Sequence, residues 1–361
     1  MALMLATTSV QAETIGGALT KAYLNNPDIN AQRAAVRQTD ETLPYYNAGY
    51  LPKVSAQANA GVASTYYQDA GAGLTSANQT VLPRGYGVTV NQNIWDGNAT
   101  YNSIRQAESN VLVQRETLRY TEEATLLNAL TYYMNVMRDT ATLDLNRSNV
   151  EVLKEQLRQT RDRFNVGEVT RTDVAQAEAA LAQAQSQYLV AQSTLQASIA
   201  SYRQVIGDPP ANLAPVTPVT KLLPTSLPSA IAISEVENPQ ITLALHNVDV
   251  ALLGVKINES ALYPQVGLQA SLTKSFDVQS LPGGSKTLNG TIVGQVTIPI
   301  YDGGKSFASI RQAKENVTVK ELTADSRRDQ VRQTVVASWG QNQNAVGVLR
   351  AARAQVAAAE V

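Results

Sequence analysis

Val54, Ala56, Ala58, Ala60 and Val62 alternate along the chain with Ser55, Gln57, Asn59, Gly61 and Ala63. Tyr86, Val88, Val90, Gln92 and Ile94 alternate in the same way with Gly87, Thr89, Asn91, Asn93 and Trp95. The period of two returns at Val266, Leu268, Ala270 and Leu272, and again at Ile292, Gly294, Val296, Ile298 and Ile300. Successive side chains of a strand point to opposite faces, so each run predicts a β-strand with one apolar and one polar side. Strands of about ten residues with this pattern suit a membrane β-barrel, apolar toward lipid and polar toward the lumen. A half-buried sheet in a soluble protein alternates in the same way.

The remaining pattern is helical. Thr14 to about Leu43 predicts a short helix that Pro44 closes. After Asp96-Gly97 a helical stretch of about 40 residues follows, then a second from about Ala141 to Phe164 and a third from Thr170 to Ile206. In the third, Ala175, Ala179, Ala182, Ala184 and Ala191 are small knobs suited to close helix packing around a wide tube. A plain antiparallel coiled coil is the alternative.

The pattern repeats. Asn26-Pro27 returns as Asn238-Pro239 and Leu51-Pro52-Lys53-Val54 as Tyr263-Pro264-Gln265-Val266, both shifted by 212. Ile94 to Val111 (IWDGNATYNSIRQAESNV) returns as Ile300 to Val317 (IYDGGKSFASIRQAKENV), shifted by 206, with ten of 18 positions identical. A connector holding Pro209, Pro210, Pro215, Pro218, Pro224 and Pro228 lies between the halves and cannot be continuous helix or central strand. The division expected is a first repeat over 13–207, a connector over 208–237 and a second repeat over 238–361. The counterpart of Gly207 would fall near position 413, so the second repeat reads as truncated before its own hairpin tip. Residues 1–12, ending in Val10-Gln11-Ala12, resemble a signal peptide with a small-x-small cleavage site. The basic segment that normally opens such a signal is absent, so it reads as incomplete; a frayed apolar terminus is the alternative.

Composition narrows the chemistry. Charged residues make up 16% of the chain, against about 25% in an average protein, and the net charge is −1. No basic stripe marks a nucleic-acid partner. There is no Cys and His246 is the single His, which excludes Cys/His zinc sites, disulfides and thiol nucleophiles; no metal or cofactor is expected. Ser271-Leu272-Thr273-Lys274 matches S-x-x-K but lies on a predicted strand without the companion motifs, and no phosphate-binding glycine loop is present. The chain is therefore not expected to be an enzyme. No stretch after the N-terminus reaches the roughly 20 uninterrupted apolar residues of a spanning helix. Two halves supply four strands, which cannot close a barrel, and open edges cannot face lipid. Strands embedded in a membrane would have to be shared between subunits, eight or twelve in all.

The strand–long-helix–strand repeat, the Ile94-Trp95-Asp96-Gly97 and Ile300-Tyr301-Asp302-Gly303 junctions and RFNVGEVTRTDV (Arg163 to Val174) together resemble the TolC family of outer-membrane efflux ducts. The resemblance implies an α+β membrane protein: a homotrimer whose four strands per chain complete a shared twelve-stranded transmembrane barrel, continued by a periplasmic α-helical barrel. It implies a passive exit duct in the cell outer membrane for drugs or secreted proteins, opened by a periplasmic adaptor and an inner-membrane transporter. Without a Cys to carry a lipid, the chain resembles the unlipidated branch. A non-channel periplasmic coiled-coil scaffold is the alternative function.

The same resemblance assigns sites. Phe164, Asn165, Val166 and Gly167 form the hairpin tip that an adaptor grips, and Thr172 and Asp173 belong to the latch that closes the periplasmic aperture. Locally, Gly167 suits the left-handed end of a helix, and Thr170 with Asp173 forms a capping box. Asp96-Gly97 and Asp302-Gly303 mark the strand-to-helix switch, Gly for the turn and Asp for the first helical amides. Tyr50, Trp95, Tyr263 and Tyr301 near the strand ends suggest an interfacial aromatic belt.

Overall fold

The structure, a computed structural model, describes residues 12–68, 76–217, 223–277 and 285–359. The signal-peptide reading concerns residues that lie almost wholly outside these, as do residues 218–222 of the connector. The elements in order are α1 (Ile15–Asn25), α2 (Pro27–Asp40), α3 (Thr42–Asn47), β1 (Lys53–Ala60), β2 (Ala63–Gln68), β3 (Ser76–Val81) and β4 (Arg84–Trp95). They continue with α4 (Ala99–Asn165), α5 (Arg171–Ile206), α6 (Leu227–Glu237), α7 (Pro239–Glu259), β5 (Gln265–Phe276), β6 (Lys286–Thr297) and α8 (Lys305–Ala359). Two compact units result, Met1–Val36 with Glu116–Ala230 and Arg37–Arg115 with Ile231–Val361.

Three helical expectations are corrected. The single helix over Thr14–Leu43 is broken at Asn26, whose side-chain oxygen accepts from the amides of Asp28 (2.9 Å) and Ile29 (3.4 Å) and so starts α2 afresh with Pro27 in its first turn. Pro44 does not close a helix; it is the third residue of α3, where its missing N–H would have had no partner. The two stretches after Asp96-Gly97 are one helix of 67 residues, because no Gly or Pro interrupts Ala99 to Asn165.

In the first unit α1 sets Ala18 and Ala22 against Ala129, Tyr133 and Val136 of α4 and Tyr202 and Ile206 of α5. The α5 positions turned from solvent run Val174, Ala177, Leu181, Ala184 and onward to Val205 in alternating steps of three and four, the seam of a coiled coil. That phase buries Ala184 and Ala191 and leaves Ala175, Ala179 and Ala182 on the exposed side, so only two of the five expected knobs pack within the chain. Glu13 forms a parallel bridge to Leu213, and the Tyr133 hydroxyl lies 2.9 Å from the Glu13 carbonyl and 2.7 Å from that of Ala214. Lys21 reaches the carboxylates of Glu13 (2.9 Å) and Asp208 (3.1 Å), which raise its affinity for a proton.

The second unit holds an antiparallel sheet in the order β1-β4-β5-β6. Its register gathers Val54, Ala56, Val88, Val90, Ala270, Leu272, Ile292 and Val296 on one face and Ser55, Gln57, Thr89, Asn91, Gln269, Ser271, Thr291 and Gln295 on the other. The first hairpin is interrupted at Gly61 and Pro83, joined by a 2.9 Å backbone bond, and continues as the separate ladder β2-β3. Pro lacks the amide that an unbroken ladder would need. Ile298 and Ile300 fall outside β6, which ends at Thr297 opposite Gln265; the next partner would be Pro264, which has no amide to give.

Beside the sheet α7 packs on α8, whose buried Ile310, Val317, Ala324 and Val331 recur every seven residues. The α6–α7 stretch Leu227–Leu262 has a mean hydropathy of 1.2, long and apolar enough for a membrane crossing by composition. It is broken at Asn238-Pro239, and it ties to α8 through a 2.5 Å pair between Glu235 and Arg332.

Candidate functional site

The hairpin tip is built from backbone chemistry. Phe164 and Asn165 end α4, and Gly167 takes φ +85°, a left-handed conformation that costs an L side chain dearly. The amide of Glu168 then reaches the carbonyl of Arg163 (2.9 Å) and that of Gly167 the carbonyl of Phe164 (3.0 Å), the paired bonds of a Schellman ending. An ion pair between Arg163 Nε and Glu168 Oε2 (3.1 Å) occupies the place where this motif usually sets a hydrophobic contact. Phe164 and Val166 are exposed there, and a 2.6 Å pair between Arg161 and Glu178 ties the two helices just behind the turn.

Helix α5 starts with Thr170 as its cap. Thr170 Oγ1 accepts from the Asp173 amide (3.3 Å), while Asp173 Oδ2 accepts from the Thr170 amide (2.7 Å) and hydroxyl (2.8 Å). These bonds hold the Asp173 carboxyl below its ordinary range. Thr172 sits exposed in the same first turn. The tip therefore presents two bare apolar side chains and an ionised, fixed carboxylate.

The two strand-to-helix junctions share one construction. Asp96 Oδ2 accepts from the amide (2.9 Å) and hydroxyl (2.6 Å) of Thr100, and Asp302 Oδ2 accepts from the amide (2.8 Å) and hydroxyl of Ser306. Each Asp serves the free amides of a helix start four residues on. Gly97 and Gly303 take φ +67° and +73°. Just before the first junction a β-bulge lies between Asn93 and Trp95, so Trp95 pairs with Val266. Val266 lies on the apolar face, and the bulge turns Trp95 to that face although its parity in the sequence belongs to the polar one. Its ring meets Tyr263 edge-on at 6.2 Å.

One polar group in the coiled-coil seam escaped the sequence reading. Asp139 of α4 is buried, and Asp139 Oδ2 meets Ser198 Oγ of α5 at 2.5 Å, while Oδ1 takes the guanidinium of Arg138 at 2.8 Å. The signal that finds it is the three-four spacing of both helices taken together.

The profile described as outer membrane efflux protein matches residues 18–208 and 231–361. The chain belongs to that family. It is 36% identical over 347 residues to the outer membrane efflux protein BepC of Brucella suis, covering 96% of this chain and 72% of that one. It is 25% identical to the outer membrane protein TolC of Escherichia coli over 365 residues, 97% of this chain and 72% of that one. Its fold matches the CmeC outer membrane channel of Campylobacter jejuni at a TM-score of 0.74 and 19% identity, over 90% of this chain and 68% of that one. This efflux protein is thus a channel of the TolC type and not an enzyme, with mixed helix and strand content, and it belongs to the outer membrane with an extension into the periplasm. Channel membership leaves no place for the envelope-scaffold alternative.

Proposed function

We propose that this efflux protein is a homotrimeric, passive exit duct of a tripartite pump or type I secretion system. The observation that carries this reading is the sheet β1-β4-β5-β6, with one face apolar, one polar, and outer edges at β1 and β6 that pair with no other strand among the described residues. Edges of that kind cannot face hydrocarbon, because each lone backbone group there costs several kcal/mol. Three copies joined edge to edge give twelve strands and no edge. The aromatic residues support the span. From the Trp95–Val266 pair to Phe276, which stacks near Tyr86, is ten residues of β5. At about 3.4 Å per residue and a tilt near 45° that is about 24 Å, against the roughly 25 Å apolar band of such barrels.

In this reading residues 13–207 and 238–361 are the two repeats and 208–237 contributes to an equatorial belt. The helices form the periplasmic tube, Phe164, Asn165, Val166 and Gly167 meet a periplasmic adaptor bound to an inner-membrane transporter, and Thr172 and Asp173 belong to the aperture latch. Asp96-Gly97 and Asp302-Gly303 turn the chain from barrel to tube, and Tyr50, Trp95, Tyr263 and Tyr301 form the interfacial belt. The test is extraction from outer membranes and reconstitution: detergent-dependent, heat-modifiable trimers that conduct in planar bilayers are expected. Water-soluble monomers would overturn the reading.

A further inference from the structure

We propose that a cavity at the junction of β4, α4 and α7 binds the phosphoethanolamine headgroup of a membrane phospholipid. The inference rests on the reading that the sheet lies in the outer membrane, since it places this junction at the periplasmic surface of the bilayer. The cavity has a volume of about 320 Å³, at the small end of ligand sites. It exists because Gly97 lets the turn approach the α7–β5 corner: a Cβ there would stand 2.7 Å from the Ser260 carbonyl oxygen and 2.8 Å from Tyr263 Cβ.

Its walls divide by chemistry. Trp95, turned outward by the bulge, and Tyr263 supply an aromatic side continuous with the apolar face of the sheet. Arg105 and Lys256 supply two cations, and neither has a carboxylate partner among the described residues. The Arg105 guanidinium is held over the Tyr101 ring at 5.8 Å. Asn102 also lines the cavity and is only 8% exposed. Its side-chain amide is a donor for a ligand oxygen that enters the cavity. Two cations and an amide donor match the oxygens of a phosphodiester. Glu259 on the same wall matches a primary ammonium, which donates hydrogen bonds, and not a quaternary one, which has none to donate. Aromatic rings and cations together are also what the headgroup level of a bilayer selects.

The test uses the full chain, extracted and delipidated in detergent, titrated with phosphatidylethanolamine or phosphatidylcholine and read by native mass spectrometry. One phosphatidylethanolamine retained per protomer is expected, with at least tenfold weaker retention in R105Q/K256Q and full retention in the charge-conserving R105K/K256R, which also guards against a folding defect. E259Q is expected to remove the preference for phosphatidylethanolamine over phosphatidylcholine. Equal lipid retention by R105Q/K256Q, or displacement of the lipid by millimolar inorganic phosphate, would overturn the proposal, the latter by making the cavity a free-phosphate site. Membrane-inserted trimers without specific lipid would overturn it alone; a chain that stays water-soluble would overturn the membrane reading as well.

Discussion

Asp139 of α4 and Ser198 of α5 bond at 2.5 Å inside a coiled-coil seam whose neighbouring positions, Val136 and Tyr202, are buried and mostly apolar. A polar pair at one layer of such a seam fixes which residues face each other, because any shift breaks the bond between the two helices. Asp139→Ala strands the Ser198 hydroxyl, and a loss of about 1–2 kcal/mol follows. Asp139→Ala combined with Ser198→Ala should cost less than the two single changes added together. Thermal melts of the helical circular dichroism in a double-mutant cycle give the coupling directly; strict additivity would mean that the pair does not act as a unit.

The same carboxyl sets an acid limit. The bond from Arg138, helped by the Ser198 hydroxyl and opposed by burial, holds Asp139 below the ordinary carboxylate range. A group whose folded affinity for protons is depressed contributes its stability above the unfolded value, about pH 4, and loses it as pH falls through the folded one. The melting temperature of the native chain should therefore drop on acidification below about pH 4, and the slope should flatten in Asp139→Asn. Equal slopes would remove Asp139 from the acid response.

Two glycines at equivalent places in the repeat offer a controlled comparison. Gly97 and Gly303 share the left-handed backbone at φ +67° and +73°, yet a Cβ on Gly303 meets open space, whereas one on Gly97 collides with Ser260 and Tyr263. Gly303→Ala should cost only the backbone penalty, about 1–2 kcal/mol. Gly97→Ala adds overpacking against backbone, a further 1–3 kcal/mol or so. The yield of folded, heat-modifiable protein from matched expression should rank native, then Gly303→Ala, then Gly97→Ala; the reverse order would refute the packing argument.

At the tip, capping and latching predict different things. Thr170→Ala and Asp173→Ala each break the capping box, so amide exchange across residues 166–173 should quicken in both. Only Asp173→Ala removes a charge from the proposed aperture. In single-channel recordings it should raise conductance, or leak of large antibiotics, while Thr170→Ala stays near the native level. Matching behaviour of the two variants would assign Asp173 to the cap alone.

Much of this was legible beforehand, for reasons that can be named. The four alternating runs became β1, β4, β5 and β6 because a face pattern of period two is a local property. Asp96, Asp302, Gly167 and Thr170 act on amides and dihedrals within four or five residues of themselves, so their geometry too was within reach of local reasoning. What stayed hidden depends on partners distant in sequence. The facing of Trp95 follows from its pairing with Val266, not from its place in the alternation. Asp139 looks like a surface residue until Ser198 is set across from it. Pro44 suggested an ending because Pro usually ends helices, and the fold instead uses it to begin one.

The polar face of the sheet has a consequence for what can cross it. From Ser55 to Asn59, Gly85 to Asn93, Gly267 to Ser275 and Thr287 to Thr297, its alternate positions carry hydroxyls, amides, glycine and a single Val293, and the charge of Lys53 stands at the very end of β1. A wall of that kind hydrates a passing solute without preferring either sign. In the proposed duct, this segment would sort solutes by girth, and discrimination between anions and cations would arise elsewhere along their route.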